Sequence, residues 1–136
     1  MNCAFCNIVE GKVSAEVVWR HQHSIAFLDH RPLFPGHVLL IPVEHVVTLA
    51  DLPAPQVGPL FQAVQILERA IETALDAEGT FIAVNNYVSQ SVPHLHVHIV
   101  PRRKGDGLKG FFWPRRGYDS EEHLRATAEK IRAALA

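Results

Sequence analysis

One stretch, His94-Leu95-His96-Val97-His98-Ile99-Val100, constrains this chain more than any other. Side chains of a β-strand alternate between its two faces. His94, His96 and His98 would therefore share one face, with Leu95, Val97 and Ile99 on the other. Same-face neighbours lie roughly 6.5–7 Å apart. The apolar side can bury in a core while three imidazoles line a surface or cleft. A solvated strand face accounts for the pattern poorly, because Thr, Lys or Ser would serve it equally well. Alternating histidines also ligate zinc in some enzymes. A phosphoryl-transfer site is the third reading, since a neutral ring nitrogen is nucleophilic and a pKa near 6.5 keeps much of it uncharged at pH 7.

A length of 136 residues suits one domain, 1–136, with a single core. The formal net charge of −1 argues against a general binder of nucleic-acid polymers, which would usually be strongly basic. There is no run of about 18 apolar residues for a membrane span. Met1-Asn2-Cys3-Ala4-Phe5-Cys6 lacks the basic start and apolar run of a signal peptide, so a cytoplasmic protein is expected. Cys3 and Cys6 are the only cysteines, and in the cytosol a Cys-x-x-Cys pair points to metal or redox use before a structural disulfide.

Periodicity predicts a short helix over Ala4 to Glu10 ended by Gly11, with Phe5, Ile8 and Val9 turned inward. Val17-Val18-Trp19 and Ile25-Ala26-Phe27-Leu28 read as strands, and Val38-Leu39-Leu40-Ile41 as a central strand ended by Pro42. A long helix begins near Pro55 or Gln56, carries Leu60, Phe61, Val64, Leu67 and Ile71 on one stripe, and stops at Gly79. Phe81 to Val84 is the next strand. The last helix takes Asp119 as N-cap, with Leu124, Ala128, Ile131 and Leu135 as its apolar stripe. The fold class is α+β: a mostly antiparallel sheet with one long helix, a short N-terminal helix and a C-terminal helix.

The sequence His94 to Val100 resembles the signature of the histidine triad family of nucleotide hydrolases and transferases, His-apolar-His-apolar-His followed by two apolar residues. The resemblance covers nearly the whole chain. It implies that His96 is a nucleophile attacking a nucleotide α-phosphorus, and that a backbone carbonyl near the first histidine orients it. His98 would touch a non-bridging phosphate oxygen. Ser89-Gln90-Ser91-Val92 resembles the family's Gly-Gln-x-Val lead-in, so Gln90 and Ser91 would contact phosphates and leaving group, with Ser89 in place of the usual glycine. Phe27 and Asp29, two apart on a strand, would cradle base and ribose, with Asn85 opposite and Phe5 and Ile8 as apolar wall. The implied substrate is a purine nucleoside phosphoramidate or a dinucleoside polyphosphate. A nucleotide-binding sensor with negligible turnover and a metal-dependent hydrolase stay open as alternatives.

Cys3, Cys6, His45 and His94 form a set of four ligands if the N-terminus folds back on the triad, and two thiolates with two imidazoles suit a closed structural zinc site. A subset of bacterial histidine triad proteins carries this arrangement. Pro101 to Tyr118 reads as a long loop with six of the thirteen Lys and Arg residues and with Phe111, Phe112 and Trp113, a lid over the substrate, a solvated loop pinned by aromatics or a dimer contact. A homodimer is expected, because Val57, Ala63, Ile66, Ala70 and Ala74 widen the stripe of the long helix beyond one sheet face. The resemblance implies the same, pairing this helix and a neighbouring strand edge across a two-fold axis.

Overall fold

The computed structural model describes residues 3–109 and 114–135, which fall into two compact units divided after Asp106. The first contains α1 (Ala4–Val9), β1 (Val17–Arg20), β2 (Ser24–Leu28), β3 (Val38–Pro42), one 3-10 turn (Leu49–Asp51), α2 (Ala54–Leu75), β4 (Gly79–Val84) and β5 (Val97–Arg102). Its strands make one sheet in the order β1-β2-β3-β5-β4, and each pairing is antiparallel. The second unit holds α3 (Glu121–Leu135). This is the α+β class expected from the sequence.

The period of two sorts the central strands into two apolar layers. Ala26, Val38, Leu40, Val97 and Ile99 pack with Leu60, Ala63, Val64, Leu67 and Ile71 of α2. Ile25, Phe27, Leu39 and Ile41 face the other way and meet Cys3 and Phe5. Each such aliphatic side chain, fully buried, contributes about 1.5–3 kcal/mol. β3 is buried along its whole length, as a central strand flanked on both sides must be.

Four boundaries differ from expectation. β5 begins at Val97, not His94, because ladder pairing with β3 and β4 starts there. Upstream, the Leu95 N–H donates to the Val46 carbonyl and the His94 N–H to that of Val92, so the two leading histidines precede the ladder, His94 in a tight turn closed on Val92. The alternation survives: Leu95, Val97 and Ile99 all join the layer beneath α2. α2 ends earlier than Gly79, at Asp76, which takes the left-handed conformation (φ 52°) while Gly79 opens β4. The cap of α3 is Ser120 rather than Asp119, its Oγ accepting the His123 N–H at 3.0 Å. Finally, Pro101 and Arg102 belong to β5 rather than to a loop, and Phe111, Phe112 and Trp113 lie outside the described residues.

Candidate active site

The sheet face opposite α2 carries a cavity of about 1220 Å³, lined by α1, the end of β2 and the triad segment. Of the residues singled out in the sequence, Phe5, Ile8, Phe27, Asp29, Ser91, His96 and His98 line it. His96 is buried, and its ring meets Phe5 edge-on at 5.1 Å and the His98 ring at 4.9 Å. Its Nδ1 donates to the main-chain oxygen of His94 at 2.7 Å. A neutral imidazole has one N–H, so that bond leaves Nε2 with a free lone pair. The middle histidine is thus held in the tautomer a nucleophile needs.

A second chain of hydrogen bonds fixes His98. The Leu33 N–H donates to Nδ1 of His37 at 3.1 Å, which places the His37 proton on Nε2. That Nε2 lies 3.0 Å from Nδ1 of His98, so His37 donates and His98 accepts. His98 is left with its own proton on Nε2, a donor for an anion in the cavity. Burial pushes His98 down to about 4, with the His96 and His37 rings adding to the shift and Asp29 opposing it. Burial also lowers His37, again against Asp29. Both rings are therefore neutral near pH 7, and the 3.8 Å approach of Asp29 Oδ2 to His37 is a long polar contact rather than an ion pair. His37 is the residue to which sequence reasoning gave no role. It stands directly before β3, but its partner lies 61 positions away, and only the β3–β5 pairing brings the two together.

Among the described residues, two clusters could hold a metal on distance alone: Cys3, Cys6, His45 and His94, and Asp29, His37 and His98. Tautomers separate them. In the first, Nε2 of His94 donates to the Pro42 carbonyl at 2.9 Å, leaving Nδ1 as a lone pair aimed at the thiols. Cys3 Sγ and Cys6 Sγ each lie 3.5 Å from that Nδ1, and Cys6 Sγ is 3.3 Å from His45 Nδ1. Tetrahedral zinc with bonds of roughly 2.3 Å to sulfur and 2.05 Å to nitrogen sets its donors about 3.6 Å apart, so the four residues fit a closed zinc site. Burial, with the neighbouring Cys3, pushes the Cys6 thiol up to about 11, a proton that a bound metal displaces. In the second cluster the Leu33 N–H occupies Nδ1 of His37, so Nε2 carries the proton and offers no lone pair to a cation. It is a proton-positioning chain, not a metal site.

Asn85 and Gln90 are not among the cavity's lining residues. Gln90 ties down its own loop, donating to the Val47 carbonyl at 2.6 Å and accepting the Tyr87 N–H at 3.0 Å. Asn85 is half-buried just past β4. Ser89 has φ 62°, the left-handed conformation that favours glycine, the residue the resemblance puts at that position. Asp29 follows the last residue of β2 and its Oδ1 accepts the Arg31 N–H at 2.9 Å, capping the turn while facing the cavity.

A model of the HIT domain matches residues 10–105. The asymmetrical bis(5'-nucleosyl)-tetraphosphatase of Schizosaccharomyces pombe is 40% identical over 96 residues, 69% of this chain and 53% of its own. The chain thus spans about half the length of that relative. A HIT family protein of Bacillus subtilis superposes with a TM-score of 0.89 at 33% identity, covering 100% of this chain and 99% of that one. A zinc-bound histidine triad family protein from Mycobacterium smegmatis is 38% identical with a TM-score of 0.75, covering 98% of each chain. Motif, sheet order and these similarities converge, and the chain belongs to the HIT, or histidine triad, family.

Proposed function

We propose that this protein is a nucleotide hydrolase or nucleotidyl transferase that cleaves at the α-phosphate of a purine nucleotide through His96. The observation that carries the reading is the 2.7 Å bond from His96 Nδ1 to the His94 carbonyl, which frees Nε2 as nucleophile beside an open cavity. Nε2 attacks the α-phosphorus, a P–N bond forms, and the bond to the leaving group breaks. Nε2–H of His98 donates to a non-bridging oxygen as charge develops there. Ser91, at the cavity edge, meets the leaving group, and Gln90 acts by holding the lead-in loop. Water then attacks phosphorus, the P–N bond breaks, and neutral imidazole is regenerated. Phe5, Ile8 and Phe27 hold the base, Asp29 accepts from ribose hydroxyls, and Asn85 closes over the nucleoside once it is bound.

The substrate is a nucleoside phosphoramidate or a dinucleoside polyphosphate, the second favoured by the activity named for the fission yeast relative. Zinc on Cys3, Cys6, His45 and His94 would be structural: four protein ligands leave no open position for chemistry. The working form is a homodimer. Ala63 is core and Val57 packs half-buried against it, which narrows the outward set on α2 to Ile66, Ala70 and Ala74, and β4 is an outer strand of the sheet among the described residues. Light scattering at low micromolar concentration tests this; the mass of a single chain would reject it.

The test of the chemistry is acid quench of protein mixed with an adenosine phosphoramidate labelled at the α-phosphate. Labelled nucleotidyl-protein should appear in the first turnover, and His96→Ala should lose both the adduct and several orders of magnitude in turnover while still binding nucleotide. Near-normal turnover in that variant would reject the covalent route. Binding without turnover of phosphoramidates and diadenosine polyphosphates would make the protein a nucleotide sensor.

A further inference from the structure

We propose that the Cys3–Cys6–His45–His94 cluster is energetically coupled to the nucleotide cavity, so that metal occupancy sets nucleotide affinity and bound nucleotide retains the metal. The inference rests on the nucleotide and zinc readings above and goes beyond a merely structural metal.

Two physical links join the sites. The first is α1. At six residues it is far shorter than a helix that persists unaided, so its form depends on what anchors its two sides. One side carries Cys6, whose N–H donates to Cys3 Sγ at 3.3 Å. The other side carries Ala4, Phe5 and Ile8, which line the cavity. The Phe5 ring lies edge-on to Phe27 at 5.4 Å and to His96 at 5.1 Å, touching base wall and nucleophile together. The second link is His94 itself. Its Nδ1 faces the thiols while its carbonyl holds the tautomer of His96. A shift of His94 within the cluster therefore moves the carbonyl that aims Nε2 of the nucleophile.

Sulfur is a weak hydrogen-bonding partner, so the 3.3–3.5 Å sulfur–nitrogen contacts would hold the four donors less firmly than a cation, and stripping the metal should loosen one wall of the cavity. Nucleotide affinity then includes the free energy of ordering α1. Linkage makes the effect reciprocal: whatever factor the metal adds to nucleotide binding, nucleotide adds to metal binding.

Calorimetric titration of adenosine monophosphate compares zinc-loaded protein with protein stripped by a chelator, circular dichroism confirming that the sheet persists. Kd should weaken about tenfold on stripping, inside the roughly 5–150-fold range of coupled sites. Equal Kd values in two folded forms would overturn the coupling. Where stripping unfolds the chain, cobalt-substituted protein decides. Saturating adenosine monophosphate should shift the visible bands of the cobalt centre, although the nucleotide does not touch it, and an unchanged spectrum would overturn the proposal. Failure of the loaded protein to bind adenosine monophosphate at all would reject the nucleotide reading, and this inference with it.

Discussion

Nε2 of His37 lies 3.0 Å from Nδ1 of His98, tying the Pro35-Gly36-His37 turn to the third histidine of the triad. This contact decides which nitrogen of His98 carries a proton, so His37 acts as a positioning residue. His37→Ala should lower kcat about 10–100-fold with little change in KM, part of the roughly 10²–10⁴ that a placed acid or base supplies. Removing His37 also takes away a ring that helps depress His98, so the acid limb of the pH–rate profile should move to higher pH. An unmoved limb with a rise in KM alone would mark His37 as packing only.

His98, held near 4 when folded, titrates near 6.5 in the unfolded chain. Between those values the unfolded state binds more protons, so stability rises with pH across the window. Its contribution is complete above about 6.5 and is lost as pH falls toward 4. Urea midpoints of zinc-loaded protein should fall over that range, and His98→Asn should flatten the slope relative to wild type. The difference between the two proteins is the readout, because metal loss at low pH affects both. Parallel curves would show that His98 is not desolvated in the folded state.

Cys3→Ser should remove most of the zinc found by elemental analysis and lower Tm in the same preparation, since metal binding free energy is folding free energy. Cys3 caps α1 through Sγ and is buried, so the effect should exceed that of substituting half-buried Cys6. Wild-type protein prepared without chelators yet free of zinc would reject the site.

Gly36 has φ 98°, and a Cβ there would lie 2.2 Å from Leu75 Cδ1. Leu75 is 43% exposed and can swing away, so backbone strain dominates, at about 1–3 kcal/mol. Gly36→Ala should lower stability by that amount in urea titrations. Gly58→Ala, within α2 and clear of all but its chain neighbours, should change it much less, because the gain in helix propensity is opposed by the clash of a Cβ with the ring of Pro59. Equal effects of the two would contradict the left-handed turn.

Much of this was legible in the chain. The period of two in Val38–Ile41 and Leu95–Ile99 places both layers of the sheet, because burial and alternation are local properties of a strand. Cys3, Cys6, His45 and His94 could be grouped because a metal demands a donor set that few residue types supply. What the chain hid depends on distant partners. The left-handed stop at Asp76 uses a residue with no glycine signal. The role of His37 requires a strand pairing across 61 positions. The start of β5 depends on where the neighbours of Val97 begin, and the bond from Gln90 to the Val47 carbonyl spans 43 positions.

The sheet is one layer thick, and it separates two apolar layers that share no side chain. Opening the α1 side exposes Phe5 and Phe27 but leaves Leu40, Val97 and the α2 face covered. The molecule therefore has a shutter and a frame, with different opening free energies. Amides of α1 should exchange with solvent deuterium through local opening, while those of β3 wait for global unfolding. The protein can admit and release a ligand by spending only the smaller of the two.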